Sequence, residues 1–464
     1  MLPAPKSNDK NHMSIDRRTL LAKGALLSAA ALLPLPAGAN DAQQHGLDAT
    51  HLRVRPGSND DQSKALQHAI DQAAQRKLPL WLPPGVYRAA GLKLPAGVQV
   101  SGIRGQTRLA LNKSAPLLES GGADNVSING LTLDGGKIGL PDSNALIQFA
   151  GGRDLHINDC ELVNSGGHGI RLRMSQGQIT NTTVAEAADT AIFSIDGINM
   201  LLAGNTIRNS GNGGIRIWQS NKNPDGAIVV DNQIENTNAN GGGSGQNGNA
   251  INVYRAGNVI VRGNRISKAA FSAVRGNAAS DIQIVANNCT DIGEVALYSE
   301  FEFENAVING NTVDGAALGI AVTNFKEGGR LATVQGNVLR NINRQRPKGT
   351  DPNDGYGIGI GVEADTAVTG NVIENASRIG IAVGSGKYLR DCTVTGNVIR
   401  STPTGIAVSV VQGAGAAVIS QNLITGARRG AIVGMEWQNV VTQDLAMVAP
   451  GAYPQLTISG NQVR

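Results

Sequence analysis

Residues 379–400 read Ile379-Gly-Ile-Ala-Val-Gly-Ser-Gly-Lys-Tyr-Leu-Arg-Asp-Cys-Thr-Val-Thr-Gly-Asn-Val-Ile-Arg400. Gly-Ile-Ala-Val alternates apolar and other residues, which is strand periodicity. A turn follows, then the second alternating run Thr-Val-Thr-Gly, then Asn397 and a short third run. The same unit recurs outward in both directions. Its Gly-Ile-x-Val phrase, or a relative, stands at His168, Gly213, Asn249, Gly319, Gly357, Gly380 and Gly405. The Asn of V/I-x-Gly-Asn-x-I/V falls at 205, 232, 264, 288, 311, 337, 371, 397, 422 and 461. Most spacings are 23–27 residues, interrupted by longer ones of 32, 34 and 39. A period of this size is the signature of a solenoid. Three short strands per unit predict an all-β parallel β-helix of about 12–13 coils. The repeated Asn suits a left-handed turn, and its amide can bond the same amide one coil away, forming a ladder. Leu does not hold a fixed place in the unit, which argues against a leucine-rich repeat.

Composition agrees. The chain has 464 residues with 60 Gly and only 3% aromatics. A core of stacked Val, Ile, Leu and Ala needs few rings. Cys160, Cys289 and Cys392 are widely spaced and odd in number, so a disulfide framework or zinc site is not expected; buried inert thiols are. The leading residues carry a separate signal. Arg17-Arg18 precede an apolar run from Gly24 to Leu35, and Ala37-Gly-Ala39 follows as a cleavage pattern. This order predicts a twin-arginine signal peptide over 1–39, with the translocon as partner and a periplasmic or secreted destination. Without those residues the chain holds 35 Lys/Arg against 34 Asp/Glu. Global charge therefore gives no reason to expect nucleic-acid binding. No later run is long and apolar enough to span a membrane.

Residues 60–76 place Ala65, Leu66, Ala69, Ile70 and Ala73 on one helical face. This predicts a helix started by Asn59 or Asp60 and laid over the open end of the coil, where strand edges need cover. A strand at 78–82, Pro83-Pro84-Gly85 and Val86-Tyr-Arg88 follow. The organisation expected is leader 1–39, cap and first coils 40–119, and repeats 120–464.

Leader, cap and Asn ladder together resemble the twin-arginine-translocated repetitive proteins of the pectate-lyase-like right-handed parallel β-helix superfamily. Asp60-Asp-x-x-x-Ala-Leu-Gln and Leu82-Pro-Pro-Gly-Val-Tyr87 are similar to the opening motif of that superfamily. The resemblance implies the fold, and a cleft beside the Gly-Ile-x-Val strands, rather than a particular reaction. Gly167-His168-Gly169 resembles the Gly-His-Gly of polygalacturonases, but the acidic partners of that site do not stand upstream.

Alternate residues of a strand point outward. Across the coils one outward column reads Arg171, Phe193, Arg216, Asn252, Arg275, Tyr298, Ala321, Gly359, Ala382, Ala407. The next reads Arg173, Ile195, Trp218, Tyr254, Asn277, Glu300, Thr323, Gly361, Gly384, Ser409. Large, aromatic and charged residues fill the earlier coils and small ones the later. Arg with exposed rings suits sugars carrying carboxylates. Two insertions, 236–248 and 341–356, lie on one edge of that face and are expected to flank the cleft. Tyr298-Ser-Glu300-Phe-Glu302-Phe-Glu304 is expected to point three carboxylates outward and both Phe inward. Such carboxylates could pair as acid and base or hold Ca²⁺; no other cofactor is expected. The catalytic candidates are Glu300, Glu302, Arg275 and Tyr254. The binding candidates are His168, Arg171, Arg173, Arg216, Trp218, Asn252, Asn277, Tyr298 and Asp354. Two functions stay open: a lyase or hydrolase acting on an anionic polysaccharide, or a non-catalytic β-helix that binds glycan or strengthens the envelope.

Overall fold

The computed structural model describes residues 46–464 except 142–143, 325–327, 349, 351–354, 448–450 and 452. The leader and Asp354 lie outside the described residues. The chain winds into a parallel β-helix of about 14 turns, slightly more than the repeat count predicts. Gly-Ile-x-Val strands stack into sheet I, x-Val-x-Gly strands into sheet II, and the strands after Asn into sheet III, with 15, 16 and 15 strands respectively. Ile, Val, Leu and Ala of all three sheets point inward and form one continuous core. Val and Ile pack well on a pleated surface and need no polar partner.

The glycine that opens Gly-Ile-x-Val has a steric reason. At Gly380 a Cβ would stand 2.5 Å from Ile399 Cγ2 and 2.6 Å from the Gly405 carbonyl oxygen of the next coil. Only a bare Cα lets neighbouring coils approach so closely.

The asparagine ladder forms along the inner side of the turn between sheets II and III. Asn205, Asn232, Asn264, Asn287, Asn311, Asn337, Asn371, Asn397, Asn422 and Asn461 bond in sequence. The rung is Asn287, not Asn288, which is exposed at the start of the following strand. In Asn287-Asn288 two amides compete for one turn. The register of the stack, rather than the local phrase, selects the first.

The cap helix α1 spans Ser63–Arg76 and starts later than its periodicity suggests. Asp61, not Asn59 or Asp60, accepts from the Ser63 N–H at 3.0 Å and from its hydroxyl at 2.5 Å. The Ser63 hydroxyl bond, with the N–H bond beside it, pulls the Asp61 carboxyl down to about 2. The flanking strands are Leu80–Trp81 and Gly85–Ala89. At the far end of sheet I, Gly430–Glu436 turns back on Asn439–Asp444 as an antiparallel pair. The Asp444 carboxylate takes the N–H groups of Ala431 and Ile432. Asn439–Asp444 is thus the last strand of sheet I, and it is largely exposed. The three cysteines are free and buried, and burial pushes each thiol up to about 12.

Candidate functional site

Strand pairing fixes the outward columns of sheet I. Arg171, Phe193, Arg216, Asn252, Arg275, Tyr298 and Ala321 stand in register. The column then continues through Gly361, Ala382 and Ala407. Gly361 therefore belongs to the first column, not the second, because the strand unit there is Gly359-Ile-Gly-Val rather than Gly357-Ile-Gly-Ile. Upstream the column extends through Gln148, Glu119 and Lys93. The second column is Arg173, Ile195, Trp218, Tyr254, Asn277, Glu300 and Thr323.

The expected carboxylate run breaks at a corner. The strand Val295–Glu300 ends there, and Phe301 and Glu302 both adopt left-handed backbone with φ near 50°. Phe303 is buried as expected, whereas Phe301 is half-buried at the corner. Glu302 is exposed past the edge, and its carbonyl oxygen accepts from the Lys222 amine. Glu304 starts the next strand in sheet II, 3.5 Å from Arg330. Glu300, Glu302 and Glu304 thus do not share a face. Among the described residues no group of three His, Cys, Asp or Glu is placed to hold a metal ion.

Arg275 and Glu300 point away from the coil interior but are not open to solvent; they are 7% and 1% exposed. Arg275 Nε donates to Glu300 Oε1 at 2.6 Å, and Asn277 Nδ2 donates to the same oxygen at 2.8 Å. Burial opposes the charge of Arg275, but the Glu300 carboxylate outweighs that and holds its pKa above the ordinary value. Arg275 also lies 3.6 Å from Glu294, which binds Arg346 at 2.9 Å. The insertions cover this cluster rather than flank it. Arg275 donates to the carbonyl of Ser244 in one insertion, and Arg346 Nε donates to Gly355 O in the other at 2.8 Å.

Two further candidates serve the same purpose. Arg216 donates to Asn247 at 2.9 Å, and Asn252 donates to Gly245 O at 3.1 Å, so both hold the 236–248 loop. Asn252 is buried and also accepts from Trp218 Nε1 at 2.7 Å. Tyr298 is half-buried with the Arg275 guanidinium 5.1 Å above its ring. Burial, with the Glu300 charge behind it, raises its phenol above the ordinary range. His168 is buried; Nδ1 accepts from the Thr190 N–H at 3.2 Å and Nε2 lies 3.8 Å from Asp189. Burial outweighs the Asp189 charge and pushes its pKa down to about 4, so the ring is neutral near pH 7.

What remains accessible is a strip of rings and cations. Trp218 and Tyr254 meet edge to face over the buried Phe193, with centroids 5.2 Å apart for Phe193 and Trp218 and 5.5 Å for Trp218 and Tyr254. Trp218, Tyr254, Asn277 and Arg171 are half-buried and Arg173 is exposed. Arg255 lies 4.9 Å over the Tyr254 ring. The long strand Gly213–Pro224 shifts register between Trp218 and Asn223, which throws Lys222 toward Glu302 along the other edge. The strip therefore runs between the 236–248 loop and this projecting segment.

Sequence reading missed Glu294, Arg346, Lys222, Arg255 and Glu363. No local pattern marks the contacts of Glu294, Arg346, Lys222 and Glu363, because their partners are 19–80 residues away; Arg255 lies beside Tyr254 in sequence but carries no periodic signal. Glu363 follows Val362, which pairs with Val322, and it accepts from the Asn324 N–H at 2.5 Å. Burial pushes its pKa from 4.5 up to about 7, against the pull of that N–H. The folded state thus keeps a proton that the unfolded state has lost between those values. The contribution of this group to stability is full below the window and falls as pH rises through it, by on the order of 3 kcal/mol in all. Glu363→Gln is expected to lessen the fall of the urea midpoint between pH 4.5 and 7.5, leaving the share of Asp225, whose carboxyl burial raises to about 6; a slope as steep as the parent's would show that Glu363 does not contribute.

Comparison with known proteins agrees with the architecture. A family model described as right handed beta helix region matches residues 112–234 and 174–339. Pre-mature gene product 12 of bacteriophage phi29 is 13% identical, with a TM-score of 0.53; the match covers 84% of this chain and 65% of that one. The A-module of the Azotobacter vinelandii mannuronan C-5 epimerase AlgE4 is 14% identical, with a TM-score of 0.44, covering 89% of this chain and 100% of that one. PfbA, a surface adhesin of Streptococcus pneumoniae, is 15% identical, with a TM-score of 0.46, covering 89% and 99%. No curated protein matches the chain. At 13% identity the likeness to the phage protein is one of fold alone. Among the described residues no helix is long and apolar enough to cross a membrane.

Proposed function

We propose that this right-handed parallel β-helix is an exported protein that binds an anionic polysaccharide along the outward strip of sheet I, and holds the chain rather than cutting it. One contrast carries the reading. The Glu300 carboxylate is buried in a salt bridge with Arg275, while Trp218, Tyr254, Arg171 and Arg173 stay accessible. Ring faces stack on sugar rings, and guanidinium groups pair with uronate carboxylates. Acid–base cleavage asks for a carboxylate that reaches substrate, and Glu300 does not offer one.

Trp218→Ala is expected to weaken binding of the mature protein to acidic glycans on an array by about tenfold or more, the usual cost of losing a central aromatic anchor. Undiminished binding would remove the strip from consideration. Digests of the same glycans test the second half of the reading. An unsaturated end would mean a lyase and a new saturated reducing end a hydrolase, and either would replace binding by catalysis. Export rests on the leader. A Lys-Lys replacement of Arg17-Arg18 is expected to leave the chain in the cytoplasm, and normal export of that variant would exclude the twin-arginine route.

A further inference from the structure

Sheets II and III are built from the same kind of short strand, yet their outward faces differ in charge. The outward columns of sheet III carry a charged residue in most coils. Opposite charges pair across neighbouring coils there: Arg108 with Asp134, Arg340 with Asp314, and Arg400 with Glu374. The two outward columns of sheet II run in register from Ser127 and Asn129 to Thr457 and Ser459. In that span Arg262 is the one Lys, Arg, Asp or Glu. Leu201, Ile228 and Ile260 follow one another in the first column, and Val307 and Val418 stand further along it. Ile228, Val307 and Val418 are 36%, 38% and 37% exposed. Most of the remainder is Thr, Ser, Asn and Gln. Among the described residues nothing folds over this face, and of both columns only Val230 is buried.

Strand geometry does not impose this composition, since sheet III takes charge at the same kind of position. A contiguous exposed apolar patch marks a contact surface, and the near absence of charge says which kind. A charged partner would meet no counter-charge here. A lipid surface would strand the Thr, Asn and Gln side chains away from water. A face with neither sign of charge is complementary to itself, which is what a two-fold contact between identical copies requires. At the corner where the chain enters sheet II stand Asp281, Arg330, Asp365 and Arg390, charges of both signs that form a polar rim. The area also suffices. The span holds thirteen strands. At about 4.8 Å between strands and about 12 Å of strand, it offers roughly 750 Å² per copy and about 1,500 Å² in a pair, the size of a standard stable interface.

We propose that this protein forms a two-fold dimer through the outward face of sheet II. The two faces pack about 10 Å apart, as stacked sheets do. Leu201, Ile228, Ile260 and Val307 lie in the central coils of the span and form the apolar middle of the contact. Sheet I is a different face, so the dimer leaves the strip of each copy open, and the inference does not depend on that strip.

Sedimentation equilibrium of the mature protein tests it. The parent should have twice the mass of one chain at micromolar concentration. Because the face is nearly uncharged, the dimer should persist in about 1 M NaCl, which screens an interface of exposed ion pairs. Gln283→Lys puts a charge in the middle of the face and removes no apolar contact, since Gln283 is exposed. Burying that charge unpaired should raise the dissociation constant by about a hundredfold or more. Ile228→Lys/Val307→Lys should do the same; if that variant fails to fold, Gln283→Lys decides alone. Thr312→Lys, at an exposed outward position of sheet III, is the control and should leave the dimer intact. A parent that stays monomeric up to about 100 μM would overturn the proposal. So would a dimer that survives Gln283→Lys, one that Thr312→Lys breaks equally, or one that salt dissociates.

Discussion

Replacing Asn311 by alanine is expected to destabilise the protein by about 4 kcal/mol. The estimate follows from what the amide does. Asn311 Oδ1 accepts from both N and Nδ2 of Asn287, and its Nδ2 donates to Ile284 O and Asn337 Oδ1. All of these atoms are buried between coils. Alanine strands two donors of Asn287 with nothing to accept them, and each buried unsatisfied group costs about 1–3 kcal/mol. The acceptors at Ile284 and Asn337 lose a donor as well. Because each coil touches only its neighbours, the damage should be local. Hydrogen exchange should quicken first at the coils around Asn287 and Asn337, before the urea transition moves elsewhere. Asn288→Ala is the control. That side chain is exposed at a strand start and should change stability by less than about 0.5 kcal/mol. Equal losses from the two variants would mean that the rung has been misassigned.

Arg275→Met should be nearly as damaging, for an electrostatic reason. The guanidinium is shared between Glu300 and Glu294, both buried. Removing it leaves Glu300 without a cation in a poorly polarisable site, and breaking a buried pair from one side costs about 3–5 kcal/mol. It also removes the donor that holds Ser244. Limited proteolysis should therefore begin within 236–248 in the variant while the parent resists. The double variant Arg275→Met/Glu300→Met should recover much of the loss, since an apolar pair of similar volume needs no counter-charge. A single variant as stable and as protease-resistant as the parent would show that the cluster does not latch the insertion. The same experiment bears on function, because a Glu300 that serves the loop is not free to serve a substrate.

The sequence by itself determined the coil. Alternation in Gly380-Ile-Ala-Val and Thr393-Val-Thr-Gly is a short-range property, and each strand carries it independently of every other. Repetition then leaves little choice, because identical strands bury their inward Ile and Val only by stacking in register. The outward columns were legible for the same reason in every coil but one. They slipped by two residues only in the coil after the 341–356 insertion, where Gly357-Ile-Gly-Ile and Gly359-Ile-Gly-Val both fit the phrase and only the pairing of Ile320 with Ile360 decides between them; Ala382 and Ala407 stand in the first column as read. Asn287 and Asn288 posed the same problem within one turn.

The tertiary structure alone decided which outward residues meet solvent. Outward from a strand and exposed to water are different properties once a loop folds over the sheet. Arg216, Asn252 and Arg275 lie in the predicted column, yet their donors are taken by Asn247, Gly245 and Ser244, whose Asn- and Gly-rich segment carries no periodic signal. The glutamate run failed for a backbone reason. Alternation holds only while the strand continues, and the left-handed residues Phe301 and Glu302 end it one step after Glu300. Contacts between residues 25 and 80 positions apart, Arg275 with Glu300 and Lys222 with Glu302, depend on how many coils lie between them and which corners the chain turns. That count is a property of the wound chain, and no local stretch of residues contains it.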